Sequence, residues 1–470
     1  MLNTIESINN VINNFIWGVP AMICIIGVGL YLSFGLHFLQ ICKFPYAIRV
    51  TIGRIFRKRN ASDGAMTPFQ AVCTALAATV GTGNIAGVAG AIAIGGPGAV
   101  FWMWVSAALG MCTKFSEVTL AVHFRETNKN GDLVGGPMYY IKNGLGPKWH
   151  WLAVLFSTFG VLTVFGTGNA TQVNTITTAI NSALENYSLI SDQSKPAVCL
   201  ITGIVLAALV ALVLLGGVKR IGNVAEKLVP FMALFYILLA LGVILLHANR
   251  IPLVFSMIFE GAFHPQAVTG GVIGSFFTSM KRGVSRGIFS NEAGLGSAPI
   301  AAAAAQTNEP ARQGLVTMTG TFIDTIIVCT MTGLCIVLTG SHTAGLEGVA
   351  VTTRAFQMGL PVPAQFSAFL LMMCLIFFAF TTIIGWNYYG ERCLEYLSNG
   401  SHGAVMAYRF LYILAIFIGP FMTVEAVWTI ADIFNALMAL PNLIALLALS
   451  GVVVAETRDY WIRILGDKIK

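Results

Sequence analysis

Charged residues are scarce in this sequence. They make up 10% of its 470 residues, against 56% hydrophobic residues, whereas a soluble protein carries roughly a quarter charged residues. The mean hydropathy of +0.78 agrees with that shortage. The basic residues behind the net charge of +7 lie in short connections between apolar runs, so they do not indicate nucleic-acid binding. We therefore predict a polytopic membrane protein.

Metal-ligand and catalytic clusters are also missing from the sequence. The nine cysteines are scattered without metal-ligand spacing, mostly inside apolar runs, and the seven histidines are dispersed. Buried reduced thiols are the expected state of such cysteines. No Lys or Arg precedes Lys43, so the basic start of a secretory signal is absent. We expect neither a membrane enzyme, nor a resident cofactor, nor a signal peptide.

Apolar runs long enough to cross a bilayer recur along the whole chain. A helix needs about 20 apolar residues to cross ~30 Å of hydrocarbon. No connection between the runs is long enough for a soluble domain, so we predict one all-α membrane domain over 1–470. Eleven spans are predicted, at 17–41, 67–95, 97–124, 150–180, 196–217, 225–247, 266–290, 312–340, 364–390, 404–425 and 428–455.

The Lys and Arg residues in the connections predict the orientation of the chain. With the N-terminus outside, the inward segments hold nineteen of these residues and the outward segments hold three. Cytoplasmic loops carry the excess of positive charge in membrane proteins. The N-terminus is therefore predicted outside, and the tail 456–470 in the cytoplasm.

The second predicted span contains a weak point, Ala-Ala-Thr-Val-Gly-Thr-Gly-Asn-Ile-Ala-Gly at 77–87. Glycine costs about 1 kcal/mol against alanine in a helix interior, and asparagine prefers to bond nearby backbone. Each flank is about 17 Å long at ~1.5 Å per residue, which puts the weak point near the bilayer midplane. Transporters use such interruptions to bind substrates and ions. A packing face of small residues is the alternative.

A second interruption is predicted in the seventh span. An apolar half-helix at 268–278 is followed by 279–287, where charged residues and glycines break the apolar pattern. The next segment, 291–305, is interpreted as a turn into a helix at the inner surface.

The two interrupted spans stand in corresponding positions of two halves. They lie five spans apart, so their topologies are opposite, which is the layout of an inverted-repeat transporter. We therefore predict one extra span at 17–41, a five-helix repeat at 67–247 and its inverted copy at 266–455, each repeat opening with a discontinuous helix.

The first weak point offers groups for an anion and for a cation. Freed amides at Thr82 and Gly83, at the positive end of a half-helix, suit a carboxylate. Released carbonyls and an amide oxygen suit a hard cation such as Na⁺; they belong to Ala77, Thr79, Val80 and Asn84.

Further candidates lie in other spans. Thr381 and Thr382 offer paired hydroxyls at mid-membrane depth, with back-bonding to the helix as the alternative. Gln172, in the polar stretch 166–174, both donates and accepts hydrogen bonds, and interhelical packing is its alternative. Aromatic residues that are candidates for a pocket wall, or for plain packing, are Phe276, Phe277 and Trp386.

Asp324 lies near the middle of the eighth predicted span. Intramembrane charges are costly and usually pair or line a pathway. Asp324 either contributes its charge to an ion site or pairs with Arg286 or Lys281, and the sequence leaves both open.

Five stretches resemble the alanine/glycine:cation symporter family, also called sodium:alanine symporters. They cover residues 77–87, 95–104, 135–140, 281–299 and 385–391, and the likeness extends from about Trp17 to Glu456. The resemblance implies a leucine-transporter-like fold and sodium-coupled uptake of alanine or glycine at the plasma membrane.

The resemblance also implies ligand sets. Amides of Thr82 and Gly83 would hold the substrate carboxylate. Ala77, Val80, Thr381 and Thr382 would hold one sodium ion, and Thr79, Asn84 and Thr278 a second. The predicted substrate pocket as a whole comprises Thr79, Thr82, Gly83, Gly166, Gln172, Ile273, Phe276, Phe277 and Trp386.

The sequence thus predicts a secondary active symporter in the lipid bilayer, with Na⁺ and a small neutral amino acid as its partners. A proton-coupled amino-acid symporter and an uncoupled facilitator or channel for small polar solutes are the alternatives.

Overall fold

The computed structural model describes residues 19–55, 67–129, 131–264 and 276–469. Nearly all of the secondary structure in these ranges is helical. A two-stranded antiparallel sheet pairs β1 (Glu126–Thr127) with β2 (Leu133–Val134). The α-helices are α1 Val19–Gly35, α2 Leu39–Cys42, α3 Phe44–Ile55, α4 Pro68–Thr79, α5 Ala86–Gly95, α6 Gly98–His123, α7 Pro137–Tyr140, α8 His150–Thr163, α9 Thr171–Asn186, α10 Lys195–Leu214, α11 Gly217–Leu246, α12 Ile251–Phe263, α13 Phe276–Asn291, α14 Ala298–Ala303, α15 Pro310–Thr321, α16 Thr330–Thr339, α17 Val349–Gly359, α18 Ala364–Leu397, α19 His402–Ala415, α20 Val424–Ala448 and α21 Ser450–Ile469.

Within the described ranges, eight helices are long and apolar enough to cross a membrane. A bent pair, Phe69–Thr79 with Thr82–Gly95, makes a ninth. These nine coincide with nine of the predicted spans, so the chain is a multi-pass membrane protein. The predicted span 17–41 contains the shorter helix α1, and much of 266–290 lies outside the described residues. The total of eleven spans and the inverted repeat stay predictions.

The first interruption lies where the sequence predicts it. α4 begins with a capping box in which Thr67 and Gln70 exchange two hydrogen bonds of 3.1 Å. It ends at Thr79, and the axis turns by 56° before α5 continues. Gly81 is extended, and its N–H donates to Asn84 Oδ1 at 2.8 Å. The asparagine side chain thus replaces a helical hydrogen bond, because its short amide competes with the backbone.

The predicted interruption at 279–287 is wrong, since α13 is one unbroken helix from Phe276 to Asn291. Its charged side chains are therefore compatible with regular helical backbone geometry. The chain leaves helical geometry later, where Glu292, Gly294 and Gly296 have φ of 57°, 89° and 78°. α14 then follows. The segment 291–305 is a turn followed by α14, and the whole segment is buried within the protein; its predicted position at the inner surface stays a prediction.

The two interrupted helices lie against each other. α5 packs on α13, and α4 packs on α14. The half-helix before each interruption therefore contacts the half-helix after the other interruption. α6 contacts α5, α13 and α14 and holds this assembly together. Both turns therefore face one buried region between the paired half-helices.

Candidate functional site

Hydroxyl groups from three neighbouring helices bond to carbonyls in and beside the first interruption. A buried carbonyl without a partner costs about 1–3 kcal/mol, and broken backbone at membrane depth needs protein partners. Each threonine hydroxyl donates to one carbonyl oxygen: Thr382 Oγ1 to Ala77 O at 3.1 Å, Thr332 Oγ1 to Asn84 O at 2.7 Å, and Thr352 Oγ1 to Ile85 O at 3.2 Å.

Two glycines of the interruption allow close approach of other helices. A Cβ on Gly81 would overlap Thr382 Oγ1. A Cβ on Gly83 would lie 3.1 Å from the Phe289 ring and 3.2 Å from Ser290 Cα. The glycines thus let α18 and α13 contact the unwound backbone directly.

Gln172 reaches the interruption from α9. Its Oε1 accepts from Thr82 N–H at 3.4 Å, and its Nε2 donates to Thr167 O at 2.9 Å. Within the described residues, the buried Thr82 Oγ1 has no hydrogen-bond partner. The structure therefore brings the predicted Thr82 and Gln172 together and leaves a free hydroxyl beside them.

A π-helical segment, Val164–Ala170, precedes Gln172. Such irregularities are frequent at functional sites. Gly168 packs so closely on Trp386 that a Cβ there would overlap the indole side chain. Gly166 faces Ala431 of α20 instead, at 3.5 Å from a Cβ position. Trp386 is thus a neighbour of this segment, while Gly166 points away from the interruption.

Asp324 is fully buried in a second π-helical segment, Phe322–Cys329. Asn84 Nδ2 donates to its Oδ1 at 2.6 Å, and Ser290 and Thr325 donate to its Oδ2 at 2.8 and 2.7 Å. All three donors are neutral. The carboxylate therefore joins both interrupted helices, and no cationic side chain of the described ranges bonds to it directly.

The pairing of Asp324 with Arg286, one of two predicted alternatives, is not formed. Arg286 instead makes a two-pronged salt bridge to Asp432 of α20, with N–O distances of 2.8 and 2.7 Å. Its guanidinium lies 4.6 Å from the Trp428 ring centroid. Arg286 thus belongs to a separate cluster on the α5 side of the interruption.

A cavity of about 550 Å³ opens beside this cluster. Its walls come from α5, α13, α20 and the connection before α17. Three basic and three acidic side chains line it: Lys281, Arg282, Arg286, Glu347, Glu425 and Asp432. The charged run that suggested a backbone break is therefore the polar wall of a cavity.

Three hydroxyls bond within their own helices, since Thr382 Oγ1 also lies 2.9 Å from Phe378 O, which is the back-bonding alternative. Thr381 Oγ1 donates to Phe378 O at 2.9 Å and lies 3.4 Å from Met232 Sδ. Thr79 Oγ1 donates to Ala75 O at 3.1 Å. Of the predicted cation ligands, Thr382 and Ala77 are thus in direct contact, whereas Thr381 and Thr79 bond elsewhere.

The beginning of α13 does not reach the interruption. Phe277 is 58% exposed, and Phe276 packs 5.4 Å from the Trp102 ring. Thr278 lies twelve residues before Ser290, about 18 Å along a helix, so it cannot share an ion with Asn84. Ile273 lies outside the described residues. Phe289 and Ser290, at the other end of α13, lie against Gly83 instead. The glycines at 294 and 296 were the available sequence signal for a break after them.

Comparisons with known proteins find a matching family and similar sequences. The profile of the sodium:alanine symporter family matches residues 2–467. An uncharacterized transporter of Haemophilus influenzae is 51% identical over 98% of this chain and 97% of its own length. The sodium/alanine symporter AgcS of Methanococcus maripaludis is 45% identical over 97% of each chain.

Among solved structures, a substrate-bound, outward-open Na⁺-coupled sialic acid symporter matches with a TM-score of 0.48 and 11% identity. That match covers 91% of this chain and 85% of the other. The family profile and the two relatives cover nearly the whole chain, and their names describe transporters rather than enzymes. The chain belongs to the sodium:alanine symporter family.

Proposed function

We propose that this protein couples Na⁺ influx to the uptake of a small neutral amino acid, alanine or glycine, by alternating access. One observation carries the proposal: the unwound Thr82–Asn84 segment meets Gln172 and the buried carboxylate of Asp324. Amides and a carboxylate at one interruption suit an amino acid together with a cation. The relative named as a sodium/alanine symporter supports the same ion and substrate class.

The amides of Thr82 and Gly83 are the proposed binding groups for the substrate carboxylate. The Thr82 N–H bond to Gln172 is long, at 3.4 Å, and therefore weak. A carboxylate would replace it with a shorter, charge-assisted bond. Gln172 Oε1 would then be free to accept from the substrate ammonium group. Thr82 Oγ1, which has no partner among the described residues, adds a further donor.

Trp386 and Phe289 are the proposed walls of the substrate pocket. Trp386 is buried beside Gly168 in the polar segment that leads to Gln172. Phe289 lies against Gly83 and 4.7 Å from the Trp428 ring. This assignment moves the aromatic wall from Phe276 and Phe277 to the other end of α13.

The first proposed sodium site joins α4 to α18. Ala77 O and Thr382 Oγ1 are already 3.1 Å apart, and Val80 O and Thr381 Oγ1 complete the proposed ligand set. Neutral oxygens of this kind suit a hard monovalent cation, whereas a soft ion would need thiolates.

The second proposed sodium site centres on Asp324. Ser290 and Thr325 contribute hydroxyl oxygens, since both contact the carboxylate. Asn84, predicted as an oxygen ligand, faces Asp324 with its Nδ2 and bonds Gly81 N–H through its Oδ1, so it orients the carboxylate instead. A buried carboxylate is expensive without a compensating positive charge, and a bound cation supplies it. Ser290 replaces Thr278 in this ligand set.

Access to both sites is proposed to alternate between the two sides of the interruption. With the N-terminus outside, the 550 Å³ cavity on the α5 side is the outer approach. On the α4 side, the space beside Lys114 measures only about 10 Å³. The described conformation is therefore interpreted as closed toward the cytoplasm.

The coupling is energetically sufficient for accumulation. One charge that crosses 100 mV supplies about 2.3 kcal/mol, and about 1.4 kcal/mol corresponds to each tenfold concentration ratio. One sodium ion per substrate thus supports roughly fiftyfold accumulation.

The test is uptake of labelled alanine and glycine into proteoliposomes with an imposed membrane potential. We expect accumulation with external Na⁺ and none with choline. Accumulation driven by a pH gradient without Na⁺ would favour the proton-coupled alternative. Equilibration without concentration in any salt would identify a facilitator. Liposomes without protein are the control for leakage.

A further inference from the structure

Lys114 is a buried lysine in the middle of α6. It is 2% exposed, and its ammonium group has no hydrogen-bond acceptor among the described residues. An unpaired charge removed from water is strongly unfavourable. The charges around this lysine therefore determine what it does.

Carboxylates surround Lys114, and those of Glu117 and Glu292 each have one oxygen bonded elsewhere and one oxygen, Oε2 and Oε1 respectively, without a partner among the described residues. Glu117 Oε1 accepts from Asn442 at 2.6 Å and from Gly296 N–H at 3.1 Å. Glu292 Oε2 accepts from Ser297 at 2.6 Å. Glu117, Glu292 and Asp324 all attract the ammonium group. Lys114 is thus held between three negative groups without a bond to any of them.

The space beside Lys114 reaches the ligand shell of Asp324. Lys114 and Asn291 line the same small cavity, and Asn291 Nδ2 donates to Thr325 Oγ1 at 3.1 Å. Thr325 in turn donates to Asp324. The helix that carries Lys114 also packs against the π-helical segment that carries Asp324. The flexible four-carbon side chain of Lys114 therefore shares a cavity with Asn291, which bonds to Thr325, and Thr325 bonds to the Asp324 carboxylate.

We propose that Lys114 is an internal counter-ion for Asp324, which replaces the coupling sodium ion while the unloaded carrier returns to the outside. This inference rests on the proposed sodium coupling. After sodium leaves, Asp324 keeps a buried charge that opposes the conformational change. An ammonium group that moves toward it compensates that charge without admitting an external ion. Lys114 and sodium then compete for one carboxylate.

The test separates net transport from exchange. Net uptake requires return of the unloaded carrier, whereas exchange with internal alanine and Na⁺ does not. In Lys114→Met, net uptake should fall by about tenfold, equivalent to about 1.4 kcal/mol in the return barrier. Exchange should stay within twofold of the wild type, and half-saturating Na⁺ should decrease. Lys114→Arg, which keeps the charge, should recover much of the net uptake.

Lys195→Met, at a partly exposed lysine paired with Glu185, is the matched control and should leave both rates unchanged. Equal losses of exchange and net uptake in Lys114→Met would assign Lys114 a structural role and overturn the inference, as would unchanged net uptake. If Lys114→Met does not fold, the smaller Lys114→Gln takes its place in both assays. A wild type that does not depend on Na⁺ would reject the proposed coupling instead, so the two failures are distinguishable.

Discussion

Replacing Gly81 with alanine tests the contact between the first interruption and α18. Gly81 has φ of −137° and ψ of −153°, which alanine tolerates, so the effect is steric. The new Cβ would overlap Thr382 Oγ1, and overpacking of this kind costs about 1–3 kcal/mol. The overlap separates Thr382 from Ala77. We therefore expect a lower thermal midpoint and a half-saturating Na⁺ concentration raised by about 5-fold to 150-fold.

The controls for this prediction are a second glycine and a double variant. Gly90 lies in α5, and a Cβ there would meet no atom within 4 Å, so Gly90→Ala should leave the thermal midpoint unchanged or raise it. Thr382→Ala alone removes the 3.1 Å bond to Ala77 and should also raise the sodium requirement. Combining Gly81→Ala with Thr382→Ala removes the overlap, so the combined loss of stability should be smaller than the two single losses added.

The measurements are sodium titrations of alanine uptake in proteoliposomes and thermal unfolding of the purified protein. A Gly81→Ala variant that matched Gly90→Ala in both measurements would refute the proposed sodium site between α4 and α18. Strict additivity of the double variant would show that Gly81 and Thr382 act independently.

Three other substitutions test separate parts of the structure. Asp324→Asn removes the charge bound by Asn84, Ser290 and Thr325. The half-saturating Na⁺ concentration in uptake assays should therefore rise about a hundredfold, equivalent to about 2.8 kcal/mol of binding free energy. Unchanged sodium dependence would exclude Asp324 as a ligand. Asp432→Asn leaves the buried guanidinium partner unpaired and should lower the thermal midpoint more than a joint replacement of both partners by apolar residues. Arg125→Gln removes hydrogen bonds to the carbonyls of Ala303 and Ala305 at 3.1 and 2.7 Å, so hydrogen exchange over 303–307 should accelerate; unchanged exchange would show that Arg125 does not hold this end.

The first interruption was predictable because its signal is local. Two glycines and an asparagine within four residues disfavour the helix, and apolar flanks of equal length give the depth. The positions of Thr382 and Gln172 also followed from polarity at mid-span. Their bonding partners did not follow, since those depend on how α9 and α18 pack against α4.

The second interruption was misplaced because charge was interpreted as a break in the backbone. Lys281, Arg282 and Arg286 lie on a helix that borders a cavity, so their charge is compatible with regular geometry. The sequence signal for the observed break was the pair Gly294 and Gly296, which adopt positive φ in the structure. The partner of Arg286 lies 146 residues further along the chain, a distance at which sequence pattern gives no pairing information.

The hydroxyl of Thr382 already occupies the Ala77 oxygen that we propose for sodium. An arriving ion must turn this hydroxyl so that a lone pair, rather than the proton, faces it. The exchange subtracts about 1 kcal/mol from the ion's affinity, the net worth of one hydrogen bond. Weak retention of the ion would therefore follow from a single rotatable proton.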